Sequence, residues 1–461
     1  MSPNPIAVEA SLEKSSSTRE QYRAYVNPQW VRLLDALDMN VQYTRASGAW
    51  LYTADGRRIL DFLSGYCVHN TGHNHPAIVS ALQQELASEG PAMVQSHVPE
   101  RAGELAARLC HASGGGLSKV FFCSSGSEGV ETAIKYARAH TGRTGLVYAQ
   151  GAFHGLTCGA LSLMGDEFWR GNFGPMLPDT HEIPFNDLAS LESSLRSKQI
   201  AAFILEPLQS EAGIRVPDPQ YLQSAQELCR KYGTLFVLDE VQTGLGRTGK
   251  FLASQRYKTD PDMVILAKAL SGGLVPVAAV LMTDAVYRSV YDSLKRAIVH
   301  TSTYTENGLA MRAGIATLDV IKEEGLTQRA EQMGSYLRER LHQELAGYEM
   351  IREIRGLGLL NGIEFQPPKQ MRLRIAFETF KRIHAGMFGQ MIVMRLFREK
   401  DILTQMCGNN FMVLKVAPPL TVTEEQVEQF VRSMQDVVEL IHSSITFWSD
   451  AVGLARRVAN L

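Results

Sequence analysis

The sequence predicts an α/β fold in which helices cover both faces of a mostly parallel sheet, with a smaller α+β domain attached. Between residues 75 and about 310, short apolar runs alternate with helical patterns, which is typical of parallel sheets. Helical segments such as YLQSAQELCRKYG repeat apolar residues at a spacing of three to four and end on glycine. The strand candidates are KVFFC, GLVYAQ, AAFILEP, LFVLDE, MVILAK and VAAVLM.

The segments on either side of this region predict a second, smaller unit. A loose arm is expected up to about residue 30, followed by a helix containing QWVRLLDAL and a hairpin in WLYTADGRRILDFLSG. Long helical patterns follow residue 315, with strands in GLLNGIEF and NNFMVLKVAPPL. The predicted division is an N-terminal segment 1–74 that contributes to the small domain, a large domain 75–315 and a small C-terminal domain 316–461.

Composition excludes several classes of protein. The 461 residues carry 46 Lys and Arg against 48 Asp and Glu, a net charge of −2, so no nucleic-acid-binding surface is expected. No stretch approaches the roughly 20 apolar residues of a membrane helix. The polar, Ser-rich start lacks the apolar centre of a secretory leader, and the six cysteines form no close pair. We therefore expect a cytoplasmic protein without membrane contact.

Charged residues end two of the apolar runs. LFVLDE contains Asp239 at its end, and MVILAK ends on Lys268. A short apolar run that ends on a charged residue is typical of a buried strand in a parallel sheet. Ligands of such sheets bind beyond the carboxyl ends of the strands. A lysine at that edge, with an aspartate on a separate strand, suits pyridoxal 5′-phosphate (PLP). The lysine would hold the aldehyde as a Schiff base, and the aspartate would keep the pyridine nitrogen protonated.

Three further features favour the same cofactor. SSGSEGVETAIK places a Ser/Gly turn before a helix, where free amides and the helix dipole bind phosphate, although an ordinary capped helix looks the same. Phe153 in GAFHG could stack on a pyridine ring or only pack in a turn. Gln242 in DEVQTG could reach the phenolic oxygen of the cofactor or be a surface amide.

Taken in order, these segments resemble the class III aminotransferases of PLP fold type I, from about residue 40 to residue 435. The most specific part is LDEVQTGLGRTG followed by DMVILAKALSGG. The resemblance implies a large domain with a mostly parallel seven-stranded sheet and a smaller α+β domain. It also implies the site residues: Lys268 for the Schiff base, Asp239 for the pyridinium, Gln242 for the phenolic oxygen, Phe153 for ring stacking, and Gly126 and Ser127 for the phosphate.

The same resemblance implies an assembly. HTSTYTEN is similar to the family segment whose threonine reaches the phosphate of the neighbouring subunit, and Thr303 is that residue here. A homodimer with its sites at the interface follows, unless the segment is merely a Thr-rich loop. GHNHP, with His69 nearby, could suggest a metal site, but the family carries a similar turn without metal, so none is predicted.

Departures from the family bear on the substrate. Many relatives bind a substrate carboxylate with an arginine where VLKVAPPL has Lys415, which offers a point charge instead of a bidentate fork. Lys415 either meets substrate or faces solvent at the strand edge. EPLQSEAG is similar to the segment whose second glutamate pairs with that arginine, so Glu211 is expected to pair with Lys415 as a gate.

Two more positions and two segments concern the pocket. Leu156 stands where ornithine aminotransferases carry an arginine, whereas Tyr66 matches a tyrosine of their pocket or else packs in the core. The Phe- and Met-rich stretch 371–400 is nearer in length to the putrescine and diamine enzymes; it either lines the pocket or is a buried helix face. The amphipathic tail ITFWSDAVGLARRVANL is expected to dock on the subunit or its partner.

The predicted function is transfer of an amino group from a terminal (ω) amine or diamine to a keto acid. Ping-pong kinetics are expected, with Lys268 as general base. The alternatives are an ornithine or other amino-acid aminotransferase, and a class III-like aminomutase, racemase or decarboxylase. A binding protein on the same fold would need a cofactor residue to be missing, and none is missing.

Overall fold

Three β-sheets organise the chain in the computed structural model, which describes residues 18–94, 96–371, 373–375, 377–378, 386–443 and 447–448. In these residues the strands, numbered β1 to β15 in chain order, are Tyr43–Ser47, Trp50–Thr53, Arg58–Asp61, Leu117–Cys123, Gly145–Ala149, Thr180–Ile183, Ile200–Leu205, Leu235–Asp239, Met263–Leu266, Ala278–Thr283, Ile351–Leu357, Leu360–Phe365, Ile402–Leu403, Gln405–Cys407 and Asn410–Val416. The helices are Thr18–Tyr25, Pro28–Ala36, Ser64–Cys67, Pro76–Ala87, Glu100–Ser113, Gly126–Thr141, Cys158–Leu161, Glu167–Arg170, Leu188–Leu195, Tyr221–Tyr232, Asp284–Arg288, Gly308–Glu323, Leu326–Leu345, Met387–Lys400 and Glu424–Ser443, with short 3₁₀ turns at Ala253–Tyr257, Lys268–Ser271 and Leu294–Arg296.

The central sheet has seven strands in the order β4-β10-β9-β8-β7-β5-β6. Strand β10 runs antiparallel to both of its neighbours, and every other pair is parallel. All six predicted strands are present, and the expected mostly parallel seven-stranded sheet is confirmed. The seventh strand, β6, was not predicted. Only Ile183 of its four residues is buried, so the sequence has no apolar run there.

Burial on both faces explains the central strands. Every residue of β5, β7, β8 and β9 is buried, as expected for parallel strands covered by helices. The helix Gly126–Thr141 packs on this sheet through Val130, Ala133, Ile134 and Ala137. Ser125 caps its start by accepting a hydrogen bond from the amide of Glu128 at 3.3 Å.

One of the two smaller sheets combines strands from the N-terminal and C-terminal parts of the chain, and the other is formed by C-terminal strands alone. The predicted hairpin is β2 paired with β3, and the short strand β13 pairs in parallel with β3. Strands β11, β12, β15 and β14 form an antiparallel sheet. Because β13 comes from the C-terminal part, its pairing places the N-terminal segment beside that part of the chain. The division at residues 74 and 315 stays a prediction.

Parts of three predicted segments lie outside the described residues: the arm before residue 18, most of 371–385 and nearly all of the tail 445–461. Within Met387–Lys400, Met391, Ile392 and Phe397 are fully buried, which is the buried helix face offered as one explanation of this Phe- and Met-rich stretch. Among the residues that the structure describes, no helix is long and apolar enough to cross a membrane.

Candidate active site

A cavity of about 510 Å³ opens at the carboxyl-terminal edge of the central sheet. Its walls come from the loops that follow β4, β5, β7, β8 and β9, so five strands deliver side chains to one place. Of the seven residues predicted to bind a cofactor, six line this cavity: Gly126, Ser127, Phe153, Asp239, Gln242 and Lys268. The seventh, Thr303, does not line it.

Lys268 follows β9 by two residues and begins a short 3₁₀ turn with a left-handed backbone, at a φ of 43°. A non-glycine residue in this region carries strain on the order of 1 kcal/mol, which the surrounding fold must support. Burial lowers the pKa of Lys268 below its ordinary value, and the Asp239 carboxylate opposes that effect. The site therefore favours the neutral amine, the form that acts as a nucleophile or base.

Asp239 is the last residue of β8 and is held by two hydrogen bonds. Its Oδ1 accepts from the amide of Val241 at 3.1 Å, and its Oδ2 lies 2.8 Å from Nδ1 of His154. Burial would lower the pKa of His154, but the hydrogen bond and negative charge of Asp239 outweigh it, so the pKa is raised. The imidazole thus donates to Asp239 and keeps its carboxyl group oriented.

The amino end of the helix Gly126–Thr141 forms a tight polar cradle. A side chain at Gly126 would place Cβ only 2.9 Å from a methyl of Val241, and one at Gly155 would lie 2.5 Å from Ser127 Oγ. Ser127 Oγ is 2.8 Å from Thr157 Oγ1 and accepts from the amide of Thr157 at 3.0 Å. Backbone amides, hydroxyls and the helix dipole converge here, as in an anion site.

Phe153 and Gln242 stand on other walls of the cavity. Phe153 is fixed edge-on against Trp169, with ring centroids 5.4 Å apart. The Gln242 amide accepts from Ser210 Oγ at 3.0 Å and donates from Nε2 to Glu211 Oε1 at 3.0 Å. Both side chains are therefore held in place by neighbours and are not free surface groups.

Lys415, Glu211 and Tyr66 lie together beside Gln242. Lys415 has no exposed surface and forms an ion pair with Glu211, so the alternative that it faces solvent at a strand edge is wrong. Burial alone would lower the pKa of Lys415, but the Glu211 carboxylate raises it to about 12. The Tyr66 ring covers the ammonium, with Nζ 5.3 Å from the ring centroid. None of the three lines the cavity.

Thr303 and Leu156 are both exposed in the subunit. Thr303 lies in a turn before the helix Gly308–Glu323, and 53% of Leu156 is accessible. The histidines near GHNHP have protein partners: His73 binds Asp61 at 2.7 Å, and its ring lies against that of His69 with centroids 3.9 Å apart.

Two residues with contacts at the site, His154 and Glu206, were given no role from the sequence. His154 directly follows Phe153 in the GAFHG motif. Glu206 directly follows β7, and the rule that singled out Asp239 and Lys268, a charged residue ending a buried run, would also have found it.

The residues around the cavity fit PLP in three respects. A lysine with a lowered pKa and an aspartate held by an imidazole come from neighbouring strand ends. Ser125, Gly126 and Ser127 line the cavity at the amino end of a helix, where backbone amides and the helix dipole favour an anion. Phe153, Gln242 and the buried Nε2 of His154, which has no partner among the described residues, border the space between them.

Comparisons with known proteins give a family. Residues 35–438 match the profile described as Aminotransferase class-III. Aminotransferase PigE of Serratia sp. (strain ATCC 39006) is 35% identical over 464 residues, 94% of this chain but 54% of that protein, so this chain spans about half its length. Putrescine aminotransferase of Pectobacterium atrosepticum is 35% identical over 438 residues, 92% of this chain and 89% of that protein.

Solved structures agree in fold. An ornithine aminotransferase from Toxoplasma gondii, crystallised with partial occupancy of PLP, has a TM-score of 0.80 at 29% identity, covering 95% of this chain and 98% of that one. An acetylornithine aminotransferase from Elizabethkingia anophelis has a TM-score of 0.70 at 30% identity, covering 89% of this chain and 98% of that one.

Proposed function

The chain belongs to the class III aminotransferases, whose cofactor is PLP, and on that premise we propose that it moves an amino group from a terminal (ω) amine or diamine to a keto acid. The proposed reaction has two half-reactions that share one site, so ping-pong kinetics are expected. When bound, the cofactor supplies an electron sink that stabilises negative charge at the carbon next to the amine.

The protein groups have separate proposed tasks around that cofactor. Asp239 holds a proton on the ring nitrogen, and Phe153 packs on the ring. Gln242 donates to the phenolic oxygen, while Gly126 and Ser127 hold the phosphate at the helix amino end. These assignments are supported by the cavity, which brings the five residues together.

Lys268 is the proposed catalytic base. Its amine removes the proton from the donor carbon that carries the amino group, and returns a proton in the second half-reaction. The lowered pKa of Lys268 supports this task, because a base must be unprotonated to act. Burial lowers the pKa of Lys268, and the Asp239 carboxylate partly offsets this lowering.

The buried Lys415–Glu211 ion pair is the observation that carries the proposed donor class. Among the described residues no arginine lines the cavity, and Glu211 neutralises Lys415 beneath Tyr66. A donor carboxylate would have to break this pair to reach the lysine. A carboxylate-free amine needs no such partner, and the putrescine aminotransferase relative is consistent with that class.

Ornithine transamination is the second candidate, because ornithine aminotransferases are among the similar solved structures. Leu156, at the position of their arginine, weighs against it. The proposed assembly is a homodimer in which Thr303 serves the partner's site. The proposed location is the cytoplasm, which the six free cysteines support.

The visible absorption spectrum tests the proposed function. The holoenzyme is mixed, without any acceptor, with putrescine, a monoamine, ornithine, glutamate or alanine in turn. We expect the band of the lysine-bound cofactor to decay with putrescine or another carboxylate-free amine. Decay only with the amino acids would overturn the donor class, and absence of the band after incubation with PLP would overturn the enzyme assignment.

A further inference from the structure

A buried imidazole and two buried carboxyl groups line one part of the cavity. His154, Asp239 and Glu206 are each 5% exposed or less. Nδ1 of His154 binds Asp239 at 2.8 Å, whereas its buried Nε2 has no partner among the described residues. The proposed function uses only Asp239, so the tasks of the other two groups are open.

Glu206 is held in place entirely by hydrogen bonds. Its Oε1 accepts from the amide of Phe153 at 3.0 Å, next to His154 in the chain, and its Oε2 accepts from the amide of Ser210 at 3.3 Å. Ser210 Oγ in turn binds Gln242. Among the described residues Glu206 forms no ion pair, and His154 is the positively charged group whose proximity lowers its pKa.

The electrostatics couple these groups. Burial raises the pKa of Glu206 to about 7; His154 lowers that pKa, and Asp239 raises it. The charged groups beyond them are Lys268 after β9, and Glu211 with Lys415, which neutralise one another. The charge of the buried Glu206 carboxyl group is therefore linked to the same imidazole that binds Asp239.

We propose that Asp239, His154 and Glu206 form one array, in which Glu206 is a positioning residue that acts through His154 on the proton of the cofactor's ring nitrogen. With Glu206 ionised, one cation and two anions leave a net negative charge, which favours the pyridinium. When Glu206 takes a proton from solvent, the array becomes neutral and that proton is held less tightly. The inference rests on the proposed function, because it assumes bound PLP.

The test is a pH titration of the visible absorption of the holoenzyme, with no amine present. The wild type is expected to show an inflexion near pH 7, and Glu206→Gln should abolish it while the cofactor stays bound. Glu240→Gln is the matched control. Glu240 is also a buried carboxyl group with a raised pKa, but it does not line the cavity, and its carboxylate accepts hydrogen bonds from Thr243 Oγ1 at 2.6 Å and the amide of Ser254 at 2.8 Å.

Two further variants keep the proposal falsifiable if Glu206→Gln fails to fold or to bind PLP. His154→Asn should remove the inflexion although Glu206 remains, because Glu206 acts through the imidazole. Glu206→Asp should move the midpoint of the inflexion by at least about half a pH unit, because the shorter side chain displaces the carboxylate from the amides that bind it. An unchanged inflexion in Glu206→Gln, His154→Asn or Glu206→Asp, or its absence from the wild type, would overturn the array.

The outcome is separable from that of the proposed function. If amines fail to convert the cofactor but the inflexion depends on Glu206, the donor proposal falls and the array stands. If carboxylate-free amines convert the cofactor but the inflexion is unchanged in the Glu206 variants, the proposed array is wrong and the donor proposal stands.

Discussion

The ammonium of Lys415 is buried against the carboxylate of Glu211, two residues separated by 204 positions in the chain. Glu211 is held further by the amide of Gly408, which donates to Oε2 at 2.9 Å, and by Gln242. Burial would raise the pKa of Glu211, but Lys415 outweighs that effect and lowers it, so both members are charged. Removing one member of an ion pair enclosed in this way would leave the other charge buried without a partner.

Replacing Lys415 with methionine should destabilise the protein by about 3–5 kcal/mol, because it leaves the buried charge of Glu211 without its partner. Denaturant unfolding of the cofactor-free protein measures the loss. Lys400→Met is the matched control, since Lys400 pairs with the exposed Asp436, and should cost less than about 1 kcal/mol. Adding Glu211→Leu to Lys415→Met should recover much of the loss. Equal losses for Lys415→Met and Lys400→Met would contradict the enclosed pair.

Lys268→Ala should lower turnover by about a thousandfold or more, because it removes the base that moves the proton. Cofactor binding should be partly retained through the phosphate cradle and Asp239. Steady-state rates and the visible band are compared with Lys250→Ala, an exposed lysine in the preceding turn region. A Lys268→Ala protein that still transaminates would remove the central assignment.

The lowered pKa of Lys268 predicts the pH dependence of cofactor attachment. Only the neutral amine attacks the PLP aldehyde, so the rate should rise with pH and level off above the pKa. Because burial depresses that pKa, the midpoint should lie below the ordinary value of 10.5. Stopped-flow absorbance after PLP is added to the apoprotein measures it.

Asp239→Asn is the companion variant for that titration. The Asp239 carboxylate raises the pKa of Lys268, so its removal should lower the midpoint further. A wild-type midpoint at or above 10.5 would show that burial does not depress the pKa of the amine. An upward shift in Asp239→Asn would show that the Asp239 carboxylate does not raise that pKa.

Thr303→Ala should weaken PLP binding about 10- to 100-fold, as expected for the loss of one hydrogen bond to a charged group. Thr303 is exposed and does not line the cavity of its own subunit. Mixing of subunits can therefore test whether it serves the site of the partner. In a mixed dimer of Lys268→Ala and Thr303→Ala subunits, a threonine that serves the partner leaves one site intact, and activity returns. If Thr303 served its own subunit, neither site would be intact, and mixing would restore nothing.

Much of the fold followed from the sequence, because buried parallel strands are apolar along their whole length and glycine ends their helices. LFVLDE and MVILAK appear as β8 and β9 for that reason. Strand β6 was missed because three of its four residues are not buried, so its pairing with β5 leaves no pattern in the sequence. An apolar pattern in the sequence indicates a strand only where the strand is buried, and most of β6 is not buried.

The sequence by itself determined which residues end the buried strands, and hence that Lys268 and Asp239 meet at one edge. It also identified the family, because the motifs keep their order. Only the tertiary structure decided that Lys415 is buried and paired, and that His154 orients Asp239 with Glu206 nearby. Those contacts join residues far apart in the chain. Their energies depend on burial and distance, which linear spacing does not specify.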